Sequence, residues 1–508
     1  MHTANCIRNL FLAAIVSAAL CSARAEVKLP NVLAEHMVIQ RDKPVHLWGN
    51  ADPQEQVDVE FRGNRASAVA DALGQWSVYL PPGAAGGPFD LTIQGKNQIA
   101  FHDILVGDVW VASGQSNMEF PMGLNHSWRF GVNNMDAEIA KAKYPLLRLF
   151  HVDMQHAEYP MADAEARTWT AVTPESVADF SAVAYFFGSE ILERENIPVG
   201  LIESDVGGTP AEAWTSMDAL TADAALMPVL AAWAPQADGE VARQQKVALM
   251  RRAYQEAVSQ GAQPKPYDDP RSAFFSAPAQ LFNAMIAPLT PFPIRGVIWY
   301  QGESNTGKAR APIYGRLFQT MITDWRKQWG QGDFPFLFVQ IANFNSSDDW
   351  ATVRDAQRRT LSLANTGMAV TVDVGDATNV HPRDKQDVGH RLALWARALS
   401  YGEHIEDSGP LFRQAVPEKG QMHVWFDHAG SGLVAKGGDL TGFELAGSDG
   451  VFVSAAAAIE GDTVVVSSPG IPAPVYVRYG WASNPQCNLF NADGLPASPF
   501  TSAPINLF

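Results

Sequence analysis

The sequence predicts an α/β protein with a mostly parallel sheet, flanked by β-rich regions at both ends. Three observations carry this. Near-continuous apolar runs at Asp108–Ala112, Val199–Ile202, Gly296–Trp299, Phe336–Ile341 and Met368–Val374 suit parallel strands buried on both faces. Helical stretches separate those runs, and strand–helix alternation implies a parallel sheet. Before residue 107 and after residue 408 the pattern becomes period-two alternation, the mark of strands with one wet face.

Composition sets the outer bounds. The 508 residues, 47% hydrophobic and 18% charged, are ordinary for a globular chain and long enough for two to four domains. The first 25 residues read as a secretory signal peptide. His2 and Arg8 form a short basic region, and Leu10 to Cys21 is apolar but too short to span a bilayer. Ala23-Arg24-Ala25 is a small-x-small cleavage site. The expectation is an exported protein, periplasmic or extracellular, without membrane insertion. Arg8 and Arg24 leave with the peptide, taking the formal net charge from −17 to −19. So acidic a surface disfavours nucleic acid and anionic membranes as partners. Cys6 and Cys21 leave too, and the remaining Cys487 reads as a buried structural thiol.

Residues 26–106 are expected to form a small β-sandwich. Val57, Val59 and Phe61 alternate with Asp58 and Glu60, and Phe89, Leu91 and Ile93 alternate with Asp90 and Thr92. Asp52-Pro53, Gly63-Asn64 and Gly86-Gly87-Pro88 punctuate them as turns. Residues 107–408 form the α/β domain. In its last helix, expected over Lys385–Ser400, Val388, Leu392, Trp395 and Leu399 share one face. An Ala- and Gln-rich stretch at about 211–280, closed by Pro264, Pro266 and Pro270, reads as a helical insertion over the site. Residues 409–508 return to β, with Met422, Val424 and Phe426 alternating, then Val475, Val477 and Tyr479.

The chain has no HExxH, no Cys/His zinc pattern, no GxxxxGK[ST] phosphate loop and no GxGxxG after a strand, so no metal or nucleotide cofactor is expected. Four polar clusters remain, each after an apolar strand. Gly114-Gln115-Ser116-Asn117-Met118 puts a Ser at a strand end after Gly. It departs from the G-x-S-x-G elbow because position 118 is Met. Gly207-Gly208-Thr209-Pro210 offers backbone N–H groups at close approach. Gln301-Gly302-Glu303-Ser304-Asn305 crowds four polar side chains around a Gly. Asp373–His381 ends in a His on a loop before an amphipathic helix. Alone, the first two read as turns and the His as a surface or core residue, while in the third a helix cap explains Ser304 and Asn305 but not Gln301 or Glu303. Together they belong on the carboxyl rim of one sheet, where an α/β site lies. Ser116 would attack, His381 would take its proton, and an acid would orient the ring. Backbone N–H groups and an amide would hold the oxyanion. This is the logic of acyl transfer to water.

The stretches VWVASGQSNMEFPM (109–122), GGTPAEAW (207–214), GVIWYQGESN (296–305) and HPRDKQDVGHRLA (381–393) resemble the sialate O-acetylesterase family, a branch of the SGNH (GDSL-like) hydrolases. LAEHMVIQRDKPVHLWG (33–49) and NPQCNLFNADGLPASPF (484–500) extend the resemblance across essentially the whole mature chain. It implies an SGNH-type three-layer α/β/α sandwich and removal of O-acetyl groups from sugars without a cofactor, the partner being an acetylated sugar or glycan. Ser116 matches the family nucleophile, His381 the base, and Gly208 an oxyanion donor. The amide of Gln301, or that of Asn305, would fill the second oxyanion role. Many SGNH enzymes carry D-x-x-H, but Thr378 stands at that position here. Asp376 is the expected acid, with Asp373 and Glu303 as alternatives and a backbone carbonyl as a fourth route. The resemblance implies a sialate 9-O-acetylesterase type of activity, with acetylated xylan or another plant polysaccharide as the alternative substrate. Arg129 and Arg354 are candidates to hold a carboxylate, and Trp128, Trp214 and Trp350 to stack on a ring. A non-catalytic sugar-binding protein is the remaining alternative.

Overall fold

The computed structural model describes residues 26–504 except 126–127, 261 and 263–272. The expected signal peptide and the prolines at 264, 266 and 270 lie outside the described residues. The core of the fold is a mixed, eleven-stranded sheet. Seven strands form its main path: β1 (Gln98–Gly114), β2 (Tyr144–His151), β3 (Thr170–Val172), β4 (Val199–Asp205), β5 (Gly296–Tyr300), β6 (Phe336–Val339) and β7 (Thr366–Ala369). Their order is β7-β6-β5-β1-β4-β2-β3. The pairs β1–β4, β4–β2, β1–β5, β5–β6 and β6–β7 are parallel, and β2–β3 is antiparallel. The apolar runs read from sequence fall on β1, β4, β5 and β6, whereas the last, Met368–Val374, meets β7 only at Met368 and Ala369 and continues as loop.

Alternation along them builds two cores. Val109, Val111, Val297, Trp299, Phe336 and Phe338 point to one face, and Trp110, Ala112, Ile298, Tyr300, Leu337 and Val339 to the other. On the first face sit α4 (Ala311–Trp329) and α5 (Trp350–Thr360), whose Tyr314, Phe318, Trp325 and Val353 are buried. On the second sit α2 (Ala182–Glu195) and α6 (Gln386–Tyr401), through Phe187, Ile191, Val388 and Leu392. Leu399 departs from the expected buried face of that last helix and is 38% exposed, because it falls in the final turn beyond the sheet.

The chain lays β2, β3 and β4 on one side of β1, then crosses to lay β5, β6 and β7 on the other. The strand order therefore reverses at β1, the place where loops diverge and leave a crevice. Register aligns the three central strand ends: Gly114 lies opposite Asp205 on one side and Tyr300 on the other. Three of the four motif loops thus leave the sheet side by side.

In the N-terminal region, Val57, Val59 and Phe61 are buried as their alternation requires. That region joins the α/β sheet through β1 itself, which pairs antiparallel with Gly86–Gln94 and parallel with Val38–Gln40 before it continues into the central sheet. The 211–280 stretch contains a 33-residue helix, α3 (Met227–Ser259), with only Glu240 and Val247 buried. Residues 409–504 form two four-stranded sheets and a two-stranded pair around a core of Met422, Val424, Val464, Val477 and Tyr479. Val475, expected on that inward face, is 44% exposed because it precedes the strand Tyr476–Tyr479. Burial beside Tyr479 pushes the Cys487 thiol up to about 11, in keeping with an inert thiol.

Candidate active site

β1 ends in Gly114 with φ +141°, where a Cβ would come 2.1 Å from the Tyr300 carbonyl oxygen, so only Gly lets the strand ends pack this closely. Gln115 N–H donates to that same carbonyl (2.9 Å), and the chain then turns into the single-turn helix α1 (Ser116–Glu119). Ser116 is thereby presented at the first helical position, at the rim of a cleft of about 870 Å³. Around that cleft stand Gly207, Gly208, Glu303 and His381, one contribution from each remaining motif.

His381 Nε2 lies 2.8 Å from Ser116 Oγ. With the hydroxyl donating, Nε2 is the acceptor and the ring proton belongs on Nδ1. The Trp128 ring stands edge-on to the imidazole at 4.9 Å. Burial pushes the imidazole down to about 4, and the nearby Lys385 ammonium acts in the same direction. The ring is therefore neutral at pH 7 and free to accept a proton.

No carboxylate among the described residues bonds Nδ1. Asp376, the acid expected from sequence, is turned away. Its Oδ1 accepts from Thr378 N–H (2.7 Å), Thr378 Oγ1–H (2.8 Å) and Asn379 N–H (3.2 Å), an Asx-type turn that consumes the carboxylate locally. Asp373 is held in a two-pronged pair by Arg391 at 2.6 and 2.8 Å. Glu303 accepts instead from Asn117 Nδ2 at 2.6 Å. Burial raises its pKa against that bond.

The oxyanion candidates divide. Gly207 and Gly208 lie at the cleft, and a Cβ on Gly207 would fall 3.1 Å from Ser116 Cβ. Gly207 N–H donates to Glu119 Oε2 (2.5 Å). Gly208, at φ +72°, has open space where a side chain would be, and its N–H has no protein acceptor among the described residues. Gln301 does not reach the cleft. It is fully buried, and its amide donates to Asn305 Oδ1 (2.6 Å) and the Thr209 carbonyl (3.3 Å), because a buried amide must find partners where it sits. Asn305 is likewise buried. Its Oδ1 also accepts from Ala211 N–H (2.9 Å), and its Nδ2 donates to Glu212 (2.9 Å). Both amides brace the Gly207–Trp214 loop from behind.

A family model described as carbohydrate esterase, sialic acid-specific acetylesterase, matches residues 271–396, a span that holds Glu303 and His381. A carbohydrate acetylesterase from Xanthomonas citri superposes with a TM-score of 0.80 at 39% identity, over 94% of this chain and 99% of that one. The sialate O-acetylesterase of Rattus norvegicus is 29% identical over 97% of both chains. That of Homo sapiens is 31% identical over 78% of this chain and 75% of the human protein. The chain belongs to the sialate O-acetylesterase family. Membership places it among the carbohydrate esterases, hydrolases of ester bonds.

Within this family member, four polar residues beside the motifs were missed from sequence. Gln115 Oε1 accepts from Ser304 N–H (3.2 Å), tying the first motif to the third. Asn117, fully buried, donates to Glu303 and to the Val380 carbonyl (3.0 Å) and accepts from Lys385 Nζ (2.6 Å). Glu119 holds Gly207. Lys385 is sealed from solvent, its ammonium over the rings of Phe120 (4.7 Å) and Tyr300 (5.3 Å). The one available signal was polarity inside the apolar flank of the Ser116 motif.

The cleft walls also sort the sugar-contact candidates. Trp128 and Trp350 line it together with Phe130 and Phe344, whereas Trp214 is fully buried against Trp299. Arg129 lines it too. Arg354 does not. It is fully buried and donates to the carbonyls of Ile341, Ala342, Ala482 and Ser483.

Proposed function

We propose that this chain is a carbohydrate O-acetylesterase of the SGNH type, acting through a Ser116–His381 pair without an orienting carboxylate. The observation that carries this is the 2.8 Å approach of His381 Nε2 to Ser116 Oγ in an open cleft beside Gly208. Ser116 Oγ attacks the acetyl carbonyl while Nε2 takes its proton. The carbonyl oxygen, now negative, is received by the Gly208 N–H and by the N–H of Ser116 at the start of α1. Collapse expels the sugar hydroxyl, which takes the proton back from His381. Water, activated by the same nitrogen, then releases acetate. The two apolar cores on either face of the sheet support the three-layer SGNH assignment. The small-x-small site at Ala23–Ala25 supports export.

The cleft favours a neutral acetylated glycan over a sialic acid. Glu119 and Asp348 line it, with Arg129 the one Lys or Arg among the described lining residues, and Arg354 is committed to backbone. A sugar carboxylate would meet mostly like charge there. Aromatic side chains around the cleft suit a sugar ring.

The test is acetate release by wild type and Ser116→Ala on 9-O-acetyl sialic acid and acetylated xylan side by side. Release lost in the variant, and faster on xylan, is the expected result. Near-normal turnover by Ser116→Ala would refute the serine mechanism. Turnover confined to the sialic acid would refute the neutral-glycan reading. Glycan binding without any turnover would leave a binding protein.

A further inference from the structure

Behind Ser116 and His381 runs a buried polar chain: Lys385, Asn117, Glu303. Its polarity is fixed by chemistry. Lys385 is donor-only and gives its Nζ hydrogen to Asn117 Oδ1 at 2.6 Å. Glu303 Oε1 and the Val380 carbonyl are acceptors, and both take from Asn117 Nδ2, at 2.6 and 3.0 Å. A flipped Asn117 amide would set Oδ1 against two oxygens and Nδ2 against an ammonium, so Lys385 locks the amide one way round. Val380 is bonded directly to His381. The peptide between them is thus gripped twice, at the Val380 carbonyl by Asn117 and at the His381 N–H by Asn379 Oδ1 (3.0 Å). Asn117 itself follows Ser116 in the chain. One side chain therefore ties the nucleophile turn to the loop that carries the base.

Resting on the serine mechanism above, we propose that Lys385 and Asn117 are positioning residues. The Lys385 ammonium orients the Asn117 amide, and the amide holds the His381 loop in register with Ser116, the task a carboxylate on Nδ1 performs elsewhere.

Electrostatics gives this role a signature that packing lacks. Lys385 faces Glu303 from the β5 loop, Asp384 from its own loop, and His381. Burial pushes Lys385 down to about 7, so it is charged throughout the acid range in which His381 titrates. There it opposes the imidazolium. Removing the ammonium must let His381 protonate at higher pH.

The experiment uses the whole mature chain and 4-methylumbelliferyl acetate, with Lys385→Met, Lys385→Gln, Asn117→Ala and the Lys385→Met/Asn117→Ala double variant. Lys385→Met and Asn117→Ala should each lower kcat roughly 10- to 100-fold with KM within about twofold. The double variant should be no worse than the weaker single, because the two act as one unit. Lys385→Gln keeps a donor to Asn117 without charge. It should recover most of kcat while still moving the acid limb of kcat/KM upward by about one pH unit. Melting curves check folding, and if the other variants fail to fold, the Lys385→Gln profile decides alone. Unchanged kcat in Lys385→Met and Asn117→Ala, multiplicative losses in the double variant, or an unmoved acid limb in Lys385→Gln would overturn the proposal. Wild-type activity abolished by Ser116→Ala but untouched at Lys385 would sink this role alone. A wild type inert on every acetyl ester would sink the esterase reading and this role with it.

Discussion

The burial of His381 makes a quantitative statement about where the enzyme works. An ordinary imidazole near 6.5 loses its basic form as pH falls through neutrality. Here burial against Trp128 and the cleft wall, with Lys385 close by, pushes the ring down to about 4. At pH 5.5 an imidazole with that value is about 97% neutral, against about 9% for the unperturbed ring. The wild-type enzyme should therefore hold about tenfold more active base at pH 5.5 than an ordinary histidine allows. The assay is kcat/KM from pH 3.5 to 8 on a soluble acetyl ester, because that ratio reports groups of the free enzyme. Aliquots returned to pH 7 separate titration from acid denaturation. A plateau reaching down to pH 5 and half-loss near pH 4 is expected. Half-loss between pH 6 and 7 would refute the reasoning. The same shift acts on stability: between the two values the unfolded chain binds the proton and the folded one does not. This residue's contribution is thus present above pH 6.5 and is lost as pH falls toward about 4.

Three further outcomes follow from the geometry. Gly207→Ala would set a methyl 2.6 Å from Glu119 Oε2 and 3.1 Å from Ser116 Cβ, and should lower kcat roughly 10²-fold with little change in melting temperature; an unaffected kcat would show that this loop does not set the nucleophile. Asp205, fully buried at the end of β4 with Oδ2 unpartnered and Glu203 and Glu119 nearby, is held well above the usual carboxylate range by burial first and like charge second. Its contribution is present below about pH 4 and is lost as pH rises, so Asp205→Asn should gain on wild type in melting temperature from pH 4 to 8, and a gap that narrows would contradict this. Arg354→Ala leaves four carbonyls without their donor and should cost roughly 3–5 kcal/mol in urea unfolding, without selective loss on sialic acid substrates; a raised KM for sialic acid alone would return Arg354 to substrate recognition.

What the sequence revealed follows from what is local. Runs such as Val297-Ile298-Trp299 must be buried on both faces whatever surrounds them, so the strands were legible, and with them the rim where the motifs gather. The approach of Ser116 and His381 was legible for a related reason: Ser116 directly follows such a run, and His381 sits in the polar loop that leaves the last one. Asp376 failed because a loop acid can be satisfied two residues on. Thr378 N–H and Oγ1–H reach it at 2.7 and 2.8 Å, and no pattern in the sequence separates that turn from a carboxylate reaching His381. Gln301 failed through direction rather than position. It follows β5 as expected, but its side chain turns inward to Thr209 and Asn305. Nothing in the sequence marks Lys385, the first residue of the helix expected over Lys385–Ser400, as buried, yet it is sealed between two aromatic rings brought from 85 and 265 residues away. The long α3 helix carried no face to read, and none of the described cleft-lining residues comes from it.

That no carboxylate among the described residues orients His381 has, on the proposed mechanism, a consequence for how the barrier is lowered. A base near 4 takes a proton from a serine hydroxyl less readily than one near 7, and Lys385 disfavours the imidazolium that forms. Acylation must then lean on the other half of the machinery, donors already aimed at the oxygen as it becomes negative. The investment visible around the second motif fits that demand. Gly207 is pinned by Glu119, and Thr209 and Ala211 are pinned by Gln301 and Asn305. These buried amides cannot contact the substrate, yet they remove the freedom of the loop that presents Gly208. Loosening that loop should therefore cost more in kcat than in KM, whereas adding a carboxylate near His381 would raise its basicity and move the acid limb toward neutrality. On the proposed serine mechanism, a weak base is offset by a rigid oxyanion loop, and activity should extend to lower pH.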